Sequence, residues 1–490
     1  MLLIIICLVL RNKIYIKQNN IMRNRALFLL AFFALVFTAC NNMEAPKKHT
    51  KEEIKLTAVD MFPTTERPIG QKDVIELRTE AIDTVRIGFI GLGQRGTGAI
   101  FRYTNIEGVK IVAICDIVPE YVEIAQKRIT DANLPEADEY TGEQDWKTIC
   151  ERDDIDLIYV TTNWALHTPI AKYAMEHGKH VVTEVPAALT IEDCWTLVNT
   201  AEKTQKHCMM LENCNYDFFE LTTLNMAQKG LFGEIKHVEG AYIHDLRWLN
   251  FAENKNDFTG YVNNWRLEQN AKNNGNLYPT HGLGPICHIL NIHRGDRMDY
   301  LVSMSTNQFG MTKYAEDKYG KDSPQAKREY KEGDMNTTII KTKNGKTIML
   351  QHDVASPRPY SRLHTISGTK GFAQKYPRTG IALEPNAHHY LNDAQFDSLM
   401  LAYKHPITKE YEEKAKEVGG HGGMDFIMDS RLIYCLRNGL PLDQDVYDAA
   451  EWSCIIELSI KSVENNSMPV SIPDFTRGAW KKNTKVTYYQ

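Results

Sequence analysis

The stretch Val85-Arg-Ile-Gly-Phe-Ile90, followed by Gly91-Leu-Gly93-Gln-Arg-Gly96, decides the fold of this chain of 490 residues. Its first six residues form an apolar run that predicts a buried strand, and a helical pattern begins after the last glycine. Gly91 permits a tight turn, Gly93 lets a phosphate group approach the backbone, and Gly96 lets the helix pack closely on the strand. A strand, a glycine turn and a helix in this order predict a binding site for the pyrophosphate of a dinucleotide.

A second predicted strand, residues 110–114, leads to a carboxylate. Asp116 follows this strand and lies twenty residues after Gly96. A carboxylate at this position accepts hydrogen bonds from the hydroxyls of the adenosine ribose and repels a 2′-phosphate. The sequence therefore favours NAD over NADP.

Strands and helices continue to alternate up to residue 211. In chain order the pattern predicts a helix over 120–131, a strand over 156–160, a helix over 168–177, a strand over 180–183, a helix over 191–204 and a strand over 207–211. Such alternation predicts a doubly wound parallel sheet, whose ligand lies at the carboxyl ends of its strands. The loops on that edge contain Gln94, Arg95, Asp116, residues 163–167, Glu184, Val185 and Asn213.

The pattern changes after residue 212. Strands are predicted over 235–246, 299–306, 336–343, 346–353 and 361–367. Asn344-Gly345 lies between two of them and is typical of a hairpin with a type I′ turn, so an antiparallel sheet is expected. The Asn-rich residues 263–276 predict a loop, and two helices are predicted over 424–438 and 446–465.

The first forty residues have the pattern of an export signal. Met22-Arg-Asn-Arg25 is followed by the apolar residues 26–37 and by Thr38-Ala-Cys40. This resembles a bacterial lipoprotein signal that starts at Met22, with Cys40 as the lipidated first residue of the mature chain; an amphipathic anchor starting at Met1 is the alternative. The apolar run is short for a transmembrane helix. We therefore expect a protein of the bacterial cell envelope, attached to the membrane by a lipid anchor only.

Charge and cysteine usage exclude several classes of ligand. Five of the 57 basic residues lie in positions 1–40, which contain no acidic residue, so 52 basic residues face 62 acidic ones in the remainder. An acidic body argues against nucleic acid as a partner. The ten Cys are scattered without a Cys-x-x-Cys pair, and no His-Glu-x-x-His motif occurs, so we predict no metal. The oligomeric state stays open, and a homo-oligomer is compatible with the sequence.

Several motifs follow the glycine turn in a fixed order. They are Trp164-Ala-Leu-His167, Glu184-Val-Pro-Ala187, Glu212-Asn-Cys-Asn-Tyr216, Tyr278-Pro-Thr-His281 and Gly419-Gly-His-Gly-Gly423. The alternating first half resembles the Gfo/Idh/MocA oxidoreductases. The complete set is similar to glycosyl hydrolase family 109 within that superfamily, the NAD-dependent α-N-acetylgalactosaminidases, and the similarity runs from about Val85 to the C-terminus.

The chain departs from ordinary sugar dehydrogenases of the superfamily where those enzymes move protons. Their Glu-Lys-Pro motif is here Glu184-Val185-Pro186, which lacks the Lys. Their helical Asp and His correspond to Thr280 and Gly284. A conventional NAD-dependent sugar dehydrogenase is the alternative interpretation, and these losses argue against it. A non-catalytic lipoprotein that contains NAD is a second alternative.

The resemblance implies an α/β chain. An N-terminal Rossmann domain over 83–212, with a doubly wound parallel sheet, would be followed by a C-terminal α+β domain over 213–490. The latter would bind substrate on an open, mostly antiparallel sheet, and its C-terminal helices would pack back on the body. Before these domains, 1–40 would form the signal and lipoprotein segment and 41–82 a linker.

The resemblance also implies a reaction and its residues. Terminal α-linked N-acetylgalactosamine would be hydrolysed by transient oxidation of sugar carbon 3 by NAD, elimination, water addition and re-reduction. Contacts with NAD would come from Gly91, Gly93, Gln94, Arg95, Gly96, Asp116, Trp164, Ala165, Leu166, His167, Glu184, Val185 and Asn213. The glycoside would contact Tyr242, Arg266, Tyr278, Pro279, Thr280, His281 and Tyr360. Tyr278 and His281 are the predicted catalytic residues, since burial and neighbours can move the pKa values of both side chains.

Overall fold

The computed structural model describes residues 58–253 and 258–489 of the chain. Residues 58–490 form one compact unit that contains two β-sheets. Within the described ranges, no helix combines the length and the apolar character needed to cross a bilayer. The predicted signal segment 1–40 with its lipidation site Cys40, and residues 41–57 of the predicted linker, lie outside the described residues.

The first sheet contains six parallel strands. These are β1 (Val85–Ile90), β2 (Val109–Cys115), β3 (Asp138–Tyr140), β4 (Leu157–Val160), β5 (His180–Thr183) and β6 (Cys208–Met210). Their order is β3-β2-β1-β4-β5-β6, which confirms the predicted doubly wound sheet. The sequence pattern does not reveal β3, because Asp138-Glu-Tyr140 lacks an apolar run and is largely exposed.

Five helices connect these strands. They are α1 (Gln94–Tyr103), α2 (Pro119–Asp131), α3 (Asp145–Glu151), α4 (Trp164–Glu176) and α5 (Ile191–Thr204). The prediction that residues 163–167 form a loop is wrong for Trp164–His167, which form the first turn of α4. The helix begins early because the Asn163 side chain caps it, accepting a hydrogen bond from the Ala165 N–H at 3.1 Å.

The second sheet contains eight strands. They are β7 (Ile235–Ile243), β8 (Met298–Ser305), β9 (Asn336–Thr342), β10 (Thr347–Asp353), β11 (Ser361–Gly368), β12 (Gly371–Gln374), β13 (Gly380–Leu383) and β14 (Val470–Ser471). Their order is β13-β12-β11-β7-β10-β9-β8-β14. Among these described strands, β7 and β10 form the single parallel pair. The mostly antiparallel sheet is therefore confirmed.

The hairpin predicted at Asn344-Gly345 connects β9 and β10, but its turn is not type I′. Only Gly345 has a positive φ, 86°, whereas a type I′ turn needs two such residues. The Gly345 N–H donates to the Thr342 carbonyl at 3.0 Å. The Asn344 N–H donates to the Asp296 carboxylate, also at 3.0 Å, and this bond holds Asn344 in an ordinary conformation.

Ten α-helices follow β6 in the described part of the chain. They are α6 (Phe218–Gln228), α7 (Arg247–Asn250), α8 (Trp265–Lys272), α9 (Thr280–Leu290), α10 (Gly310–Tyr319), α11 (Pro324–Lys327), α12 (Asp393–Ala402), α13 (Pro406–Val418), α14 (Met424–Arg437) and α15 (Val446–Glu464). The prediction of a loop over 263–276 is wrong, because most of it is α8. Arg266, Leu267 and Ala271 are buried there, and their packing outweighs the weak helix propensity of the Asn residues.

Helix α15 contacts a residue next to the first sheet and a residue of the second sheet. Its Ser453 hydroxyl accepts a hydrogen bond from the Ala187 N–H at 3.2 Å, after β5. Its Ser462 hydroxyl accepts one from the Ser303 N–H of β8 at 2.8 Å. The predicted domain boundary at 212/213 stays a prediction, since one helix joins the two sides of it.

The described part of the predicted linker lies against the body. Val59 forms a bridge with Val470 of β14. The Arg67 guanidinium pairs with the buried Glu202 carboxylate at 3.0 Å, and the Val74 N–H donates to the Tyr447 hydroxyl at 3.1 Å. Residues 58–82 are thus attached to the same compact unit by backbone, charge and apolar contacts.

Candidate active site

A cavity of about 650 Å³ lies between the carboxyl ends of the first sheet and the end of β7. From the first sheet it is lined by the glycine turn, by the ends of β2 and β4, and by Glu184 and Val185 after β5. From the second sheet it is lined by Tyr242, Arg266 and His281. The cavity therefore brings together most of the residues predicted to bind NAD and most of those predicted to bind a glycoside.

The three glycines of the turn have different surroundings. Gly91 has a φ of 92°, and a Cβ atom there would collide with the backbone of Thr161. A Cβ atom on Gly96 would collide with the Gly91 carbonyl, so only glycine lets α1 pack this closely on β1. A Cβ atom on Gly93 would meet no protein atom within 4 Å and would enter the cavity. The N-terminus of α1 is thereby open to a phosphate group.

Asp116 lies at the end of β2 and lines the same part of the cavity. Its carboxylate accepts hydrogen bonds from the Leu92 N–H at 2.6 Å and the Val118 N–H at 2.9 Å. Burial raises the pKa of this carboxyl, and the backbone N–H groups partly offset that effect. The turn, the helix N-terminus and this carboxylate fit the pyrophosphate and ribose of NAD.

Arg95 connects the glycine turn to a helix far along the chain. Its guanidinium pairs with Glu184 at 2.6 Å and with Asp425 of α14 at 3.1 Å. Asp425 also accepts hydrogen bonds from His421, at 2.8 Å, and from the Asn213 amide. Burial works against the charge of Arg95, but the two carboxylates raise its pKa well above the ordinary value. The predicted cofactor residues Arg95, Glu184 and Asn213 therefore form one charged network.

His167 holds two loops of the cavity together. Its Nδ1 lies 2.7 Å from the Pro186 carbonyl, and its Nε2 lies 3.1 Å from the Thr162 carbonyl. Burial lowers the pKa of this imidazole. His167 thus links the start of α4 to the loop after β5, where Val185 stands.

On the other side of the cavity, the end of β7 and the residue that follows it supply two polar side chains. Tyr242 and His244 alternate along the chain, so both face the cavity. The Tyr242 hydroxyl and the His244 Nε2 lie 2.9 Å apart. Burial and the charge of Arg266 lower the pKa of His244 to about 4, so this imidazole is neutral at pH 7.

The guanidinium of Arg266 lies among aromatic rings. Its Cζ atom is 4.7 Å from the ring centroid of Tyr278, 5.3 Å from that of Trp164 and 5.8 Å from that of Tyr242. Its Nη1 donates to the Tyr261 hydroxyl at 3.0 Å. Among the described residues, no carboxylate forms an ion pair with Arg266. This buried positive charge is therefore held by ring faces and available to an oxygen-rich ligand.

Tyr278 and His281, the two predicted catalytic residues, lie close together. His281 lies in the first turn of α9, Tyr278 just before it, and the Tyr278 hydroxyl is 3.5 Å from the His281 Nε2. Burial raises the pKa of Tyr278 well above its usual range, so its phenol stays protonated. The His281 Nδ1 lies 2.8 Å from the carboxylate of the buried Glu212. A carboxylate can only accept here, so Nδ1 carries a proton, and in the neutral imidazole Nε2 is then the acceptor.

Five of the predicted site residues do not line the cavity. They are Gly96, Ala165, Pro279, Thr280 and Tyr360. Gly96 supports the turn from below, Ala165 is exposed and Thr280 is fully buried. Tyr360 lies behind His244, with ring centroids 5.1 Å apart, and its side chain is 39% exposed.

Sequence reasoning missed three functional side chains: Glu212, His244 and Asp425. Glu212 follows β6 and so lies on the ligand edge, a signal that its position alone contains. His244 alternates with Tyr242, and that alternation could have identified it. No local signal identifies Asp425, because its partner Arg95 is 330 residues away in the chain.

Fold and cavity together define a protein with an NAD-binding Rossmann domain and a carbohydrate-sized site beside it. Comparisons agree: residues 85–212 match the oxidoreductase family with an NAD-binding Rossmann fold, and residues 216–482 match the C-terminal domain of glycosyl hydrolase 109. The chain belongs to glycosyl hydrolase family 109 and is a glycoside hydrolase by descent.

Individual relatives and structures support the same assignment. An α-N-acetylgalactosaminidase of Bacteroides fragilis is 59% identical over 413 residues, which cover 84% of this chain and 97% of that protein. A family 109 protein of Porphyromonas gingivalis is 52% identical, and the match covers 89% of this chain and 93% of that protein. The structure of levoglucosan dehydrogenase with NADH and L-sorbose is 18% identical, with a TM-score of 0.59 over 80% of this chain and 100% of that one. The last likeness concerns the fold alone.

Proposed function

We propose that this chain hydrolyses terminal α-linked N-acetylgalactosamine with the help of NAD. The observation that carries the proposal is the pair Tyr278 and His281, which faces the same cavity as the glycine turn. Val185 stands where a sugar dehydrogenase of the superfamily has its Lys, so a different group must move protons. The name of the 59% identical relative supports the choice of substrate.

NAD would be held by the glycine turn and Asp116, and when bound it supplies reversible hydride uptake at sugar carbon 3. The chain's own residues exclude water and move protons. The buried side chains of Trp164 and Val185 line the cavity with apolar surface. A reaction that ends with the cofactor in its starting state needs no supply of oxidised NAD.

His281 is the residue best suited to remove a proton from the sugar. In the neutral imidazole, Nδ1 donates to Glu212 and Nε2 is free to accept a proton, and the side chain lines the cavity. Tyr278 keeps its proton because burial raises its pKa, so its hydroxyl donates a hydrogen bond and does not act as a base. In this proposal His281 is the base and Tyr278 stabilises the oxygen on which negative charge develops.

The remaining side chains of this wall would orient the sugar. Arg266 offers a positive charge without a carboxylate partner, and it lies within 6 Å of the ring centroids of Tyr242 and Tyr278. The neutral His244 and the Tyr242 hydroxyl supply further hydrogen-bonding groups. Hydroxyl and acetamido groups of a hexose need several such donors and acceptors, fixed in position by packing.

A nitrophenyl α-N-acetylgalactosaminide tests the proposal. Purified protein should release nitrophenol from it, and no NADH should accumulate during many turnovers. Steady formation of NADH from free sugars without glycoside cleavage would instead establish the sugar dehydrogenase alternative. Retention of NAD with neither reaction would establish the non-catalytic alternative.

We also propose that Cys40 is lipidated and anchors the protein in the bacterial cell envelope. The basic residues, the apolar run and Thr38-Ala-Cys40 support this proposal. Expressed in its native type of host, the protein should fractionate with membranes, and Cys40→Ser should move it to the soluble fraction. Equal membrane association of both forms would contradict the proposal.

A further inference from the structure

Glu212 is a fully buried carboxylate that contacts His281, a residue of the cavity wall, without lining the cavity itself. It follows β6 and accepts a hydrogen bond from the Cys214 N–H at 3.0 Å. Its two oxygens lie 2.8 and 2.9 Å from the Nδ1 of His281. Glu184 and Asp425 pair with Arg95, whereas the ionic partner of Glu212 is an imidazole.

The contact between Glu212 and His281 depends on a glycine in helix α9. Gly284 lies one turn after His281 on α9, and a Cβ atom there would be 2.7 Å from the Glu212 Cγ and 2.9 Å from the Asn215 Oδ1. Any other residue would push the carboxylate from the helix. Gly284 is also the position matched above to the helical His of sugar dehydrogenases, so the carboxylate takes space that this glycine leaves free.

The charge of Glu212 is maintained despite its burial. Burial alone would raise its pKa, but the charge and hydrogen bond of His281 and the Cys214 N–H together lower it below the ordinary value. Cys214 itself remains a thiol, because burial raises its pKa well above the usual range. Glu212 is therefore the ionised group that acts on the imidazole of His281, and Cys214 beside it is neutral.

We infer that Glu212 is a positioning residue for His281: it fixes the proton on Nδ1, directs the bare Nε2 to the sugar, and stabilises the imidazolium that forms when Nε2 takes up a proton. The inference rests on the proposed role of His281 as the base. A carboxylate behind a catalytic imidazole has these effects in general, since it selects one tautomer and favours the charged form.

The other titratable groups around His281 differ from Glu212 in distance and charge. Tyr278 reaches Nε2 at 3.5 Å, Tyr242 packs with its ring centroid 5.5 Å from that of His281, and Cys214 lies on the Glu212 side. His244 is near enough for the two imidazoles to influence each other. Tyr242, Tyr278, Cys214 and His244 are neutral at pH 7, so the charge that acts directly on Nδ1 is that of Glu212.

Glu212→Gln tests the inference, because it keeps the shape and removes the charge. We expect kcat to fall by about 10²-fold to 10⁴-fold, with KM changed by less than about threefold. The acid limb of kcat/KM should move to lower pH, since an imidazole without the carboxylate loses its proton more easily. A variant with the parent's kcat and the parent's acid limb would overturn the inference.

Glu212→Asp keeps the charge but withdraws it by one methylene. We expect a fall in kcat of about tenfold, smaller than that of the Gln variant, with the acid limb unchanged. An Asp variant with undiminished kcat would overturn the positioning role, even if the Gln variant fails to fold. Glu202→Gln is the matched control: Glu202 is also buried and ionic, pairs with Arg67 and Arg477, and does not line the cavity, so kcat and the acid limb should stay unchanged.

His281→Ala separates this inference from the function on which it rests. If His281→Ala keeps full glycoside cleavage, the proposed function of His281 fails. If it is inactive while Glu212→Gln behaves like the parent, the function stands and the role of Glu212 fails.

Discussion

The two walls of the cavity are built on different physical principles. The wall from the first sheet consists of backbone at a helix N-terminus, Asp116, and the network in which Arg95 is neutralised by Glu184 and Asp425. The wall from the second sheet consists of aromatic and imidazole side chains around Arg266, whose charge has no carboxylate partner among the described residues. One wall has its charges paired before a ligand arrives, and the other presents groups for a ligand to use.

This difference separates binding from chemistry. Paired charges and backbone N–H groups hold a cofactor in one place without changing their protonation state. The second wall has an imidazole whose Nε2 is an acceptor, a phenol that keeps its proton, and a neutral imidazole at His244. Substitutions in the first wall should therefore affect cofactor retention, and those in the second should affect turnover.

The largest expected effect is that of His281→Ala on turnover. Removal of a general base should lower kcat for nitrophenyl α-N-acetylgalactosaminide by about 10²-fold to 10⁴-fold while NAD stays bound. His288 lies on the same helix but outside the cavity wall, so His288→Gln is the matched control and should keep kcat. Loss of NAD together with activity in His281→Ala would contradict the division between the walls.

Gly93→Val should act on the first wall alone. The added side chain would enter the space next to the N-terminus of α1, so retention of NAD after purification should fall, with an affinity loss of at least about tenfold. Gly98→Ala is the control on the same helix, because its Cβ would make only an ordinary 3.6 Å contact with Arg102. The NAD content of both variants is measured by the absorbance of the cofactor released from the purified protein. Tight NAD binding by Gly93→Val would mean that the cofactor does not approach this turn.

Arg266→Lys should moderately weaken substrate binding by the second wall. Lys cannot reproduce the flat stacking of a guanidinium on several rings, so KM should rise by about tenfold at unchanged NAD content, since such a desolvated contact is worth about 2 kcal/mol. Arg247 also stacks on a ring, that of Tyr314, but lies outside the cavity wall. Arg247→Lys should leave KM unchanged, and an equal rise in both variants would remove Arg266 from substrate binding.

The smallest expected effect at neutral pH is on the stability of the folded chain. Burial lowers the pKa of His288 and His405 to about 4 and that of His364 to about 3. The unfolded chain takes up these protons below about pH 6.5 and the folded chain resists them, so stability falls as pH drops from 6.5 to 4. Each group contributes up to about 1.4 kcal/mol per pH unit in that window.

Thermal unfolding at pH 7 and at pH 5 measures this loss. His364→Asn should reduce the difference between the two unfolding temperatures, because one buried imidazole no longer titrates. An unchanged difference would mean that His364 is not held neutral. These data also show at which pH values the chain stays folded. Within that range, a loss of activity at low pH reflects the second wall and not unfolding.

Much of the first wall could be predicted residue by residue. Gly91, Gly93, Gly96 and Asp116 lie within 26 residues of sequence, and strand and helix periodicity places them on one edge. The early start of α4 was missed because it depends on a single hydrogen bond, which the Asn163 side chain accepts from the Ala165 N–H. In the second wall, Tyr278 and His281 are three residues apart in the chain and so could be expected to lie close together, whereas Tyr360 contacts His244 and does not line the cavity.

The sequence by itself determined the fold class, the cofactor turn and the identity of the paired residues Tyr278 and His281, because all three depend on short-range periodicity and spacing. Only the tertiary structure decided that Glu212 stands behind His281 and that Asp425 neutralises Arg95. Those pairs join residues 69 and 330 positions apart, and their meeting depends on how strands and helices pack. The surroundings of each proposed catalytic group follow from that packing and not from its position in the chain.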